Sequence, residues 1–418
     1  MKIKSLTQHN TDSRTIRLCQ GCELPVDVVD IQHGRSAYCP RCGTQLYRGG
    51  SPSLSGNLAI AITCLLLFIP SQLFDFISIR LVGVMIPASL PAGIVAMFEE
   101  GYGVLAVLVL FCSTLAPLLV CSSVVTAHLA LHKRWFQLLR YSLAMIHHLK
   151  SWSMIDVFLI SIAVSCFKLK DFSDIFVGPA LYSLVLLQLF TVLLISRISV
   201  RRYWEAWQPE IEYPLHNKQI HCHNCHLSQC ESSHCVRCHH ALHHRRPRSI
   251  ERTWAYVIAA AVAIIPANII PISILLTNGQ RLEDTIFSGV ASLINSGMIG
   301  IAVIIFVASI VVPVAKIVGL IYLLLAIRFK RQVFHRQRMT IYYAIKWIGK
   351  WSVMDLFVIS IMLTLVDRGQ LLNFTPGYGA VAFGMVVVLT MLAAESLDPR
   401  LIWDNYPSAV SNNESKDE

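Results

Sequence analysis

The polar and apolar positions of the chain fall into long blocks rather than short amphipathic stripes. Apolar runs cover about 58–78, 103–127, 153–169 and 176–198 in the first half, and about 254–276, 298–327, 352–366 and 377–397 in the second. Most approach twenty residues, the length of helix that crosses ~30 Å of hydrocarbon, so about four transmembrane helices are expected in each half. The third run of each half is short, which predicts that its helix begins earlier, in the polar connector before it. Pro70, Pro117, Pro266, Pro271 and Pro313 fall inside runs; in a bilayer such prolines are tolerated as kinks, because neighbours re-satisfy the freed carbonyls.

The pattern repeats. Cys19-x2-Cys22, sixteen residues and Cys39-x2-Cys42 precede the first four runs; Cys222-x2-Cys225, nine residues and Cys235-x2-Cys238 precede the second four. Deeper in, the segment from Trp152 to Ile162 aligns with that from Trp351 to Ile361, sharing Trp, Ser, Asp, Phe, Ile, Ser and Ile at the same places. Arg201, Trp204 and Glu205 align with Arg400, Trp403 and Asp404 at the same offset. Such an order of landmarks marks a duplication. The expected architecture is an all-α polytopic membrane protein of two repeats. Its parts are a ribbon over 1–50, a transmembrane module over 51–207, a second ribbon over 208–248, a second module over 249–405 and a disordered cytoplasmic tail over 406–418.

Composition supports this reading. Of 418 residues, 55% are hydrophobic and only 14% charged, against roughly 25% charged in soluble proteins. The formal charge of +10 is no nucleic-acid signature, because Lys and Arg gather beside the ends of the apolar runs. The connector 132–150 carries Lys133, Arg134, Arg140 and Lys150, and 328–350 carries seven more, whereas the loops 79–102 and 278–296 hold only Arg80 and Arg281. By the positive-inside rule both termini and both ribbons are cytoplasmic, and an even number of spans per module makes the repeats parallel. Residues 1–50 are polar and cysteine-bearing, so no cleavable signal is expected before the first run.

Eight of the thirteen cysteines form the four Cys-x-x-Cys pairs. Two such knuckles make a tetrahedral cage of four thiolates, which predicts a structural zinc site at Cys19, Cys22, Cys39 and Cys42 and another at Cys222, Cys225, Cys235 and Cys238. Iron in a similar cage, which would make an electron carrier, is the rival; disulfides do not suit a reducing compartment. Cys64, Cys112, Cys121 and Cys166 lie in apolar runs and read as small packing residues. Cys230 is left without a role. His221, His223, His226, His234, His239, His240, His243 and His244 around the second ribbon read as a solvated basic rim, or alternatively as a pH sensor or second metal site.

Ionisable groups at membrane depth are costly and so are candidates for function. Lys316 lies about a dozen residues before Arg328, with Ser309 seven residues earlier on nearly the same helix face. Asp355 sits just inside its run with Ser352 one turn before it, and Thr390 and Glu395 lie in the last run. Together these suit a proton or ion relay, a polar lining that opens and closes a path, or a structural ion pair. Asp156 is the repeat partner of Asp355, but Val120 stands opposite Lys316, which points to the second module as the working one. Lys168, Lys170 and Asp171 fall near the outer face. No phosphate loop, nucleophile elbow or zinc-protease helix is present, and no enzyme is expected.

The ribbon-module alternation, the paired Trp-Ser-x-x-Asp-x-Phe-x-Ile-Ser-Ile segments, the stretch Pro266 to Ile272 and the ending Leu397-Asp398-Pro399-Arg400-Leu401-Ile402-Trp403-Asp404 resemble the paraquat-inducible protein A family over nearly the whole chain. Within it the chain looks like the LetA-like branch, the inner-membrane partner of a periplasmic MCE-domain protein. The resemblance implies transport of phospholipid between the two membranes of a diderm bacterium, with a periplasmic MCE-domain oligomer as tunnel and this chain loading or unloading lipid. It also implies zinc in both ribbons and a polar transmembrane network. Carried onto this sequence, that network is Ser309, Lys316, Ser352, Asp355 and Thr390, with Lys168 and Asp171 as first-module candidates. The alternatives are a redox protein using thiolate-bound iron and a scaffold that transports nothing.

Overall fold

A computed structural model describes residues 16–404, apart from 30, 33, 50–52, 82–83, 170–173, 209–218, 278–279, 296, 298, 331–333 and 367–371. The expected tail 406–418 and Asp171 lie outside the described residues. Among the described residues seven helices are long and apolar enough to span a membrane: Leu54–Leu73, Gly103–His132, Pro179–Arg197, Ser249–Ile269, Ala302–Arg328, His335–Thr364 and Tyr378–Ser396. The chain is a mostly helical, multi-pass membrane protein.

The third helix of each half shows where the repeats diverge. In the second half His335–Ile348, a tight turn over Gly349–Val353 and Met354–Val366 run on as one rod. In the first half the chain breaks after Phe136–Leu149 and restarts as the separate helix Ile155–Leu169. The expected extension into the polar connector therefore occurs in one half as a continuous helix and in the other as a separate one.

Two apolar runs end earlier as helix than their length suggests. The first helix stops at Leu73 and its counterpart at Ile269, and the remaining apolar residues become strands Ile77–Leu81 and Ser273–Thr277. Pro271 accordingly lies between helix and strand, not within a span. Each strand is the centre of a three-stranded antiparallel sheet, flanked by Val84–Ala88 and Asp174–Val177 in the first half, and by Gln280–Asp284 and Leu372–Pro376 in the second. The β-branched Ile77, Ile79, Ile274 and Thr277 favour extended chain, but hydropathy alone cannot separate these strands from the helix before each. The last helix of each module leaves its sheet through Gly178 or Gly377, whose N–H donates to the carbonyl of Phe76 or Ile272 at 3.0 and 2.9 Å. A Cβ there would sit 2.0 Å from the carbonyl oxygen of Asp75 or Pro271, so only glycine fits this close approach. Gly377→Ala is expected to lower the melting midpoint in detergent by several degrees, an effect that an unchanged melt would refute.

Pro117 and Pro313 sit just after single π-helical turns, Phe111–Leu115 and Val307–Val311. A proline ring clashes with the carbonyl one turn back, and the wider turn makes room for it. In the first module the Cys112 carbonyl, within the π-turn, accepts from Met154 N–H at 3.3 Å.

The repeated Trp-Ser-x-x-Asp-x-Phe segments meet at the centre of the molecule. Phe158 and Phe357, which are repeat counterparts, pack edge to face with ring centres 5.4 Å apart. Ser161 Oγ donates to the carbonyl of Met354 at 3.0 Å.

The ribbons exchange places. The four cysteines of the first ribbon are buried with Leu320, Leu323, Met339, Tyr342, Ile402 and Trp403 of the second module. Those of the second ribbon are buried with Ala127, Leu139, Leu143, Tyr203 and Trp204 of the first. Gly21 lies so close to the second module that a Cβ would come 2.8 Å from Met339 Cε, and Thr44 Oγ1 is 2.9 Å from Tyr343 Oη. Glu23 of the first ribbon accepts from Arg400 at 2.7 Å and from Arg245 at 2.5 Å. The ribbons also touch, through Leu18 N–H and Ser228 Oγ at 3.1 Å.

Candidate functional site

Each ribbon is two short hairpins or turns with a Cys-x-x-Cys knuckle at the tip. In all four knuckles the amide of the residue after the second cysteine returns to the carbonyl of the first: Glu23 to Cys19, Gly43 to Cys39, His226 to Cys222 and His239 to Cys235, at 2.8–3.0 Å. Those four residues all have positive φ, between 53° and 72°. Glycine takes that conformation freely, and histidine is among the residues that tolerate it better than most. Two of the histidines that crowd the second ribbon are thus turn residues.

The sulfurs lie Cys19–Cys42 3.4 Å, Cys22–Cys39 3.6 Å, Cys222–Cys238 3.5 Å and Cys225–Cys235 3.4 Å apart. A tetrahedron with metal–sulfur bonds of ~2.3 Å has edges of ~3.8 Å, so both cages fit one ion with small adjustment. The donor set also asks for one. Hydrogen bonds from Cys19 and Cys22 lower the Cys42 thiol to about 2, while Cys22 is raised by hydrogen bonds to Cys19 and Cys42. Four buried thiolates cannot coexist without a cation among them. All eight cysteines are buried, which closes the shell and suits a structural role. Metal analysis of purified chain is expected to give two zinc ions per molecule, and Cys235→Ser one; iron in their place would restore the redox alternative.

The histidine rim is only partly solvated. His234, His239, His240, His243 and His244 are exposed, but His221 is buried and stacks on His226 with ring centres 5.4 Å apart. Burial holds His221 well below the ordinary histidine range.

The intramembrane residues separate into two groups. Ser309 lies in the second π-turn, and its hydroxyl donates to Asp355 Oδ2. Lys316 is 2% exposed and its Nζ has no hydrogen-bond partner among the described residues; Ser352 Oγ is likewise buried and without one among them. The ion pair between Lys316 and Asp355 allowed by the sequence is therefore not formed. Thr390 Oγ1 donates to the carbonyl of Val387 at 3.0 Å within its own helix. In the first module Lys168 is in the last turn of its helix, with its side chain outside the described residues. Asp156 has one buried oxygen without a partner, and Ser113, the counterpart of Ser309, donates instead to the carbonyl of Val109 at 2.7 Å.

Two cavities approach this group from opposite ends. A large one of about 920 Å³ opens between the modules at the ribbon end, with Lys316 and Thr390 among its lining residues. A small one of about 80 Å³ lies under the three-stranded sheet of the second module and is lined by Asp355 with Ser273, Asp284 and Thr285. Ser309, which donates to Asp355, and Ser352 line neither cavity. Sequence reasoning missed the large cavity: Arg140, Lys150, Lys346 and Lys350 read as membrane anchors, yet they also line it.

The profile of the family described as "Paraquat-inducible protein A" matches residues 54–208 and 250–407, one match per module. The chain belongs to the paraquat-inducible protein A family. It is 38% identical over 393 residues to "Lipophilic envelope-spanning tunnel protein A" of Escherichia coli (strain K12), covering 93% of this chain and 91% of that one. It is 33% identical over 400 residues to "Probable intermembrane transport protein" of Haemophilus influenzae, covering 93% and 95%. It is 29% identical over 416 residues to "Intermembrane transport protein PqiA" of Escherichia coli (strain K12), covering 97% and 99%. No solved structure matches the chain. The family resemblance drawn from the paired motifs is thus borne out.

Proposed function

We propose that the chain is the inner-membrane subunit of an intermembrane phospholipid transport system. In this reading both ribbons are cytoplasmic and hold zinc, and the outer sheets face a periplasmic MCE-domain oligomer. The observation that carries it is the buried polar group of the second module, standing between a wide cavity at one end and a small pocket at the other. The names of the relatives, intermembrane transport and envelope-spanning tunnel proteins, support transport rather than catalysis.

The chemistry of that group suits a switch. An ammonium in an apolar interior without a partner is costly, so Lys316 is stabilised either by losing its proton or by gaining an anion. Asp355 is held by Ser309, and protonating it would weaken that bond and free the helix after Ser352. Protonation at Asp355 from the outer pocket, followed by passage through Ser309 and Ser352 towards Lys316, would couple the outer side to the wide cavity. The protein supplies position and dry surroundings; the driving force is the proton gradient.

In cells that depend on this chain, Lys316→Ala and Asp355→Asn are expected to abolish outer-membrane integrity while the protein stays in the membrane at its normal level. Undiminished integrity in both variants would remove the polar group from the mechanism. Co-purification of a periplasmic MCE-domain oligomer from detergent tests the partner separately.

A further inference from the structure

The wide cavity is unbalanced in charge. Arg140, Lys150, Arg246, Arg252, Lys346 and Lys350 line it, with Lys316 deeper in the membrane. Glu395 is the one carboxylate among its described lining residues, and its side chain already accepts from Ser151 Oγ at 2.5 Å. The cations come from both halves of the chain: Arg140 and Lys150 from the first module's connector, Lys346 and Lys350 from the second's. Apolar side chains complete the wall, among them Tyr141, Ile195, Ile345 and Met391. Its volume stands at the upper end of the ~300–1,000 Å³ of small-molecule sites.

Like charges so arranged destabilise one another unless something negative sits among them. Lys150 shows the effect: burial lowers it first, and the charges of Lys350 and Lys346 lower it further. His147, on the same wall, is lowered to about 4 by burial and then by His148, Lys346, Arg246 and Lys150. A solvated basic anchor would show neither. The cavity is therefore built for an anion with an apolar body attached.

We propose that this cavity is a headgroup site for anionic phospholipid, in which Lys150, Lys346 and Lys350 bind the phosphate and the apolar wall takes the first part of the acyl chains. The proposal rests on the phospholipid reading above and makes it specific: a net negative lipid is selected over a zwitterionic one, because a headgroup amine would meet the same cations. Lys316, unpartnered at the inner end, is placed to meet the phosphate as it moves towards the membrane midplane.

The test uses full-length chain purified in a neutral detergent and titrated with fluorescently labelled phosphatidylglycerol or phosphatidylethanolamine. Phosphatidylglycerol is expected to bind at least tenfold more tightly. Lys150→Gln/Lys350→Gln is expected to remove that preference, and Lys150→Arg/Lys350→Arg to keep it, which separates lost charge from lost fold. Equal binding of the two lipids by wild-type chain would overturn the proposal while leaving transport itself intact. So would an unchanged preference in the glutamine double variant. Inorganic phosphate is the third arm: if it displaces phosphatidylglycerol at submillimolar concentration, the cavity serves free phosphate and the lipid assignment falls. Loss of envelope integrity with normal lipid selectivity would instead locate a failure in the polar group, not in the cavity.

Discussion

A chain carrying Cys39→Ser is expected to lose one of its two metal ions and to loosen its second transmembrane module, leaving the first close to wild type. A structural zinc site contributes on the order of 10–16 kcal/mol of apparent binding energy to the fold around it, and a hydroxyl in place of a thiolate forfeits most of that. Sequence order alone would assign the damage to the first module, which follows the first ribbon directly. The packing says otherwise, since the first ribbon is buried against Met339, Tyr342, Ile402 and Trp403. Hydrogen exchange or limited proteolysis in detergent reads the outcome. Increased exchange should appear in His335–Ile348 and in the segment after Ser396, and Cys222→Ser should produce it in Phe136–Leu149. If each ribbon's loss loosened the module that follows it in sequence, the exchanged arrangement would be wrong.

Why the exchange was hidden follows from what a sequence records. The cages were legible because thiolate spacing is a local property: two residues between cysteines, and a turn whose next residue takes positive φ. The spans and the repeat were legible because bilayer thickness and duplication both leave long-range periodicity. Which module a ribbon docks on is set by surface complementarity, such as the Gly21 approach to Met339, and no spacing encodes it. The two three-stranded sheets were missed for a different reason. Ile77–Leu81 and Ser273–Thr277 continue the apolarity of the helices before them, so hydropathy extends the span where the backbone turns to strand.

The candidate site was half legible. Lys316, Asp355 and Ser309 stood out because charge at membrane depth is rare, and the structure does place Ser309 on Asp355. Their division between two cavities was not visible, since one-dimensional spacing cannot tell which neighbours leave a void. The basic connectors were the harder case. Lys150 and Lys350 satisfy the positive-inside pattern whether they face lipid headgroups or one another across a cavity, and only the placement of the two modules distinguishes these.

Removing the Arg400 guanidinium is expected to destabilise the chain far more than the same change at its repeat partner Arg201. Arg400 is buried and grips Asp398 through two nitrogens at 3.0 and 2.9 Å, while a third nitrogen reaches Glu23 of the first ribbon at 2.7 Å. Asp398 itself is 1% exposed, so Arg400→Met leaves a carboxylate in the interior with only the amides of Arg246 and of residue 400 to satisfy it. Breaking such a pair from one side costs ~3–5 kcal/mol. Arg201, its side chain 12% exposed, makes a 2.6 Å pair with Glu205 one turn away, itself 32% exposed, and an i,i+4 helix pair is worth less than ~1 kcal/mol. Melting in detergent should therefore fall by about 5 °C for Arg400→Met and by about 1 °C at most for Arg201→Met. Asp398→Asn added to Arg400→Met should recover part of the loss, because the uncompensated charge goes with it. Equal, small effects at the two sites would show that the repeat carries the same surface ion pair twice. The burial at Arg400 argues instead that the second copy has been turned into the joint between ribbon and module.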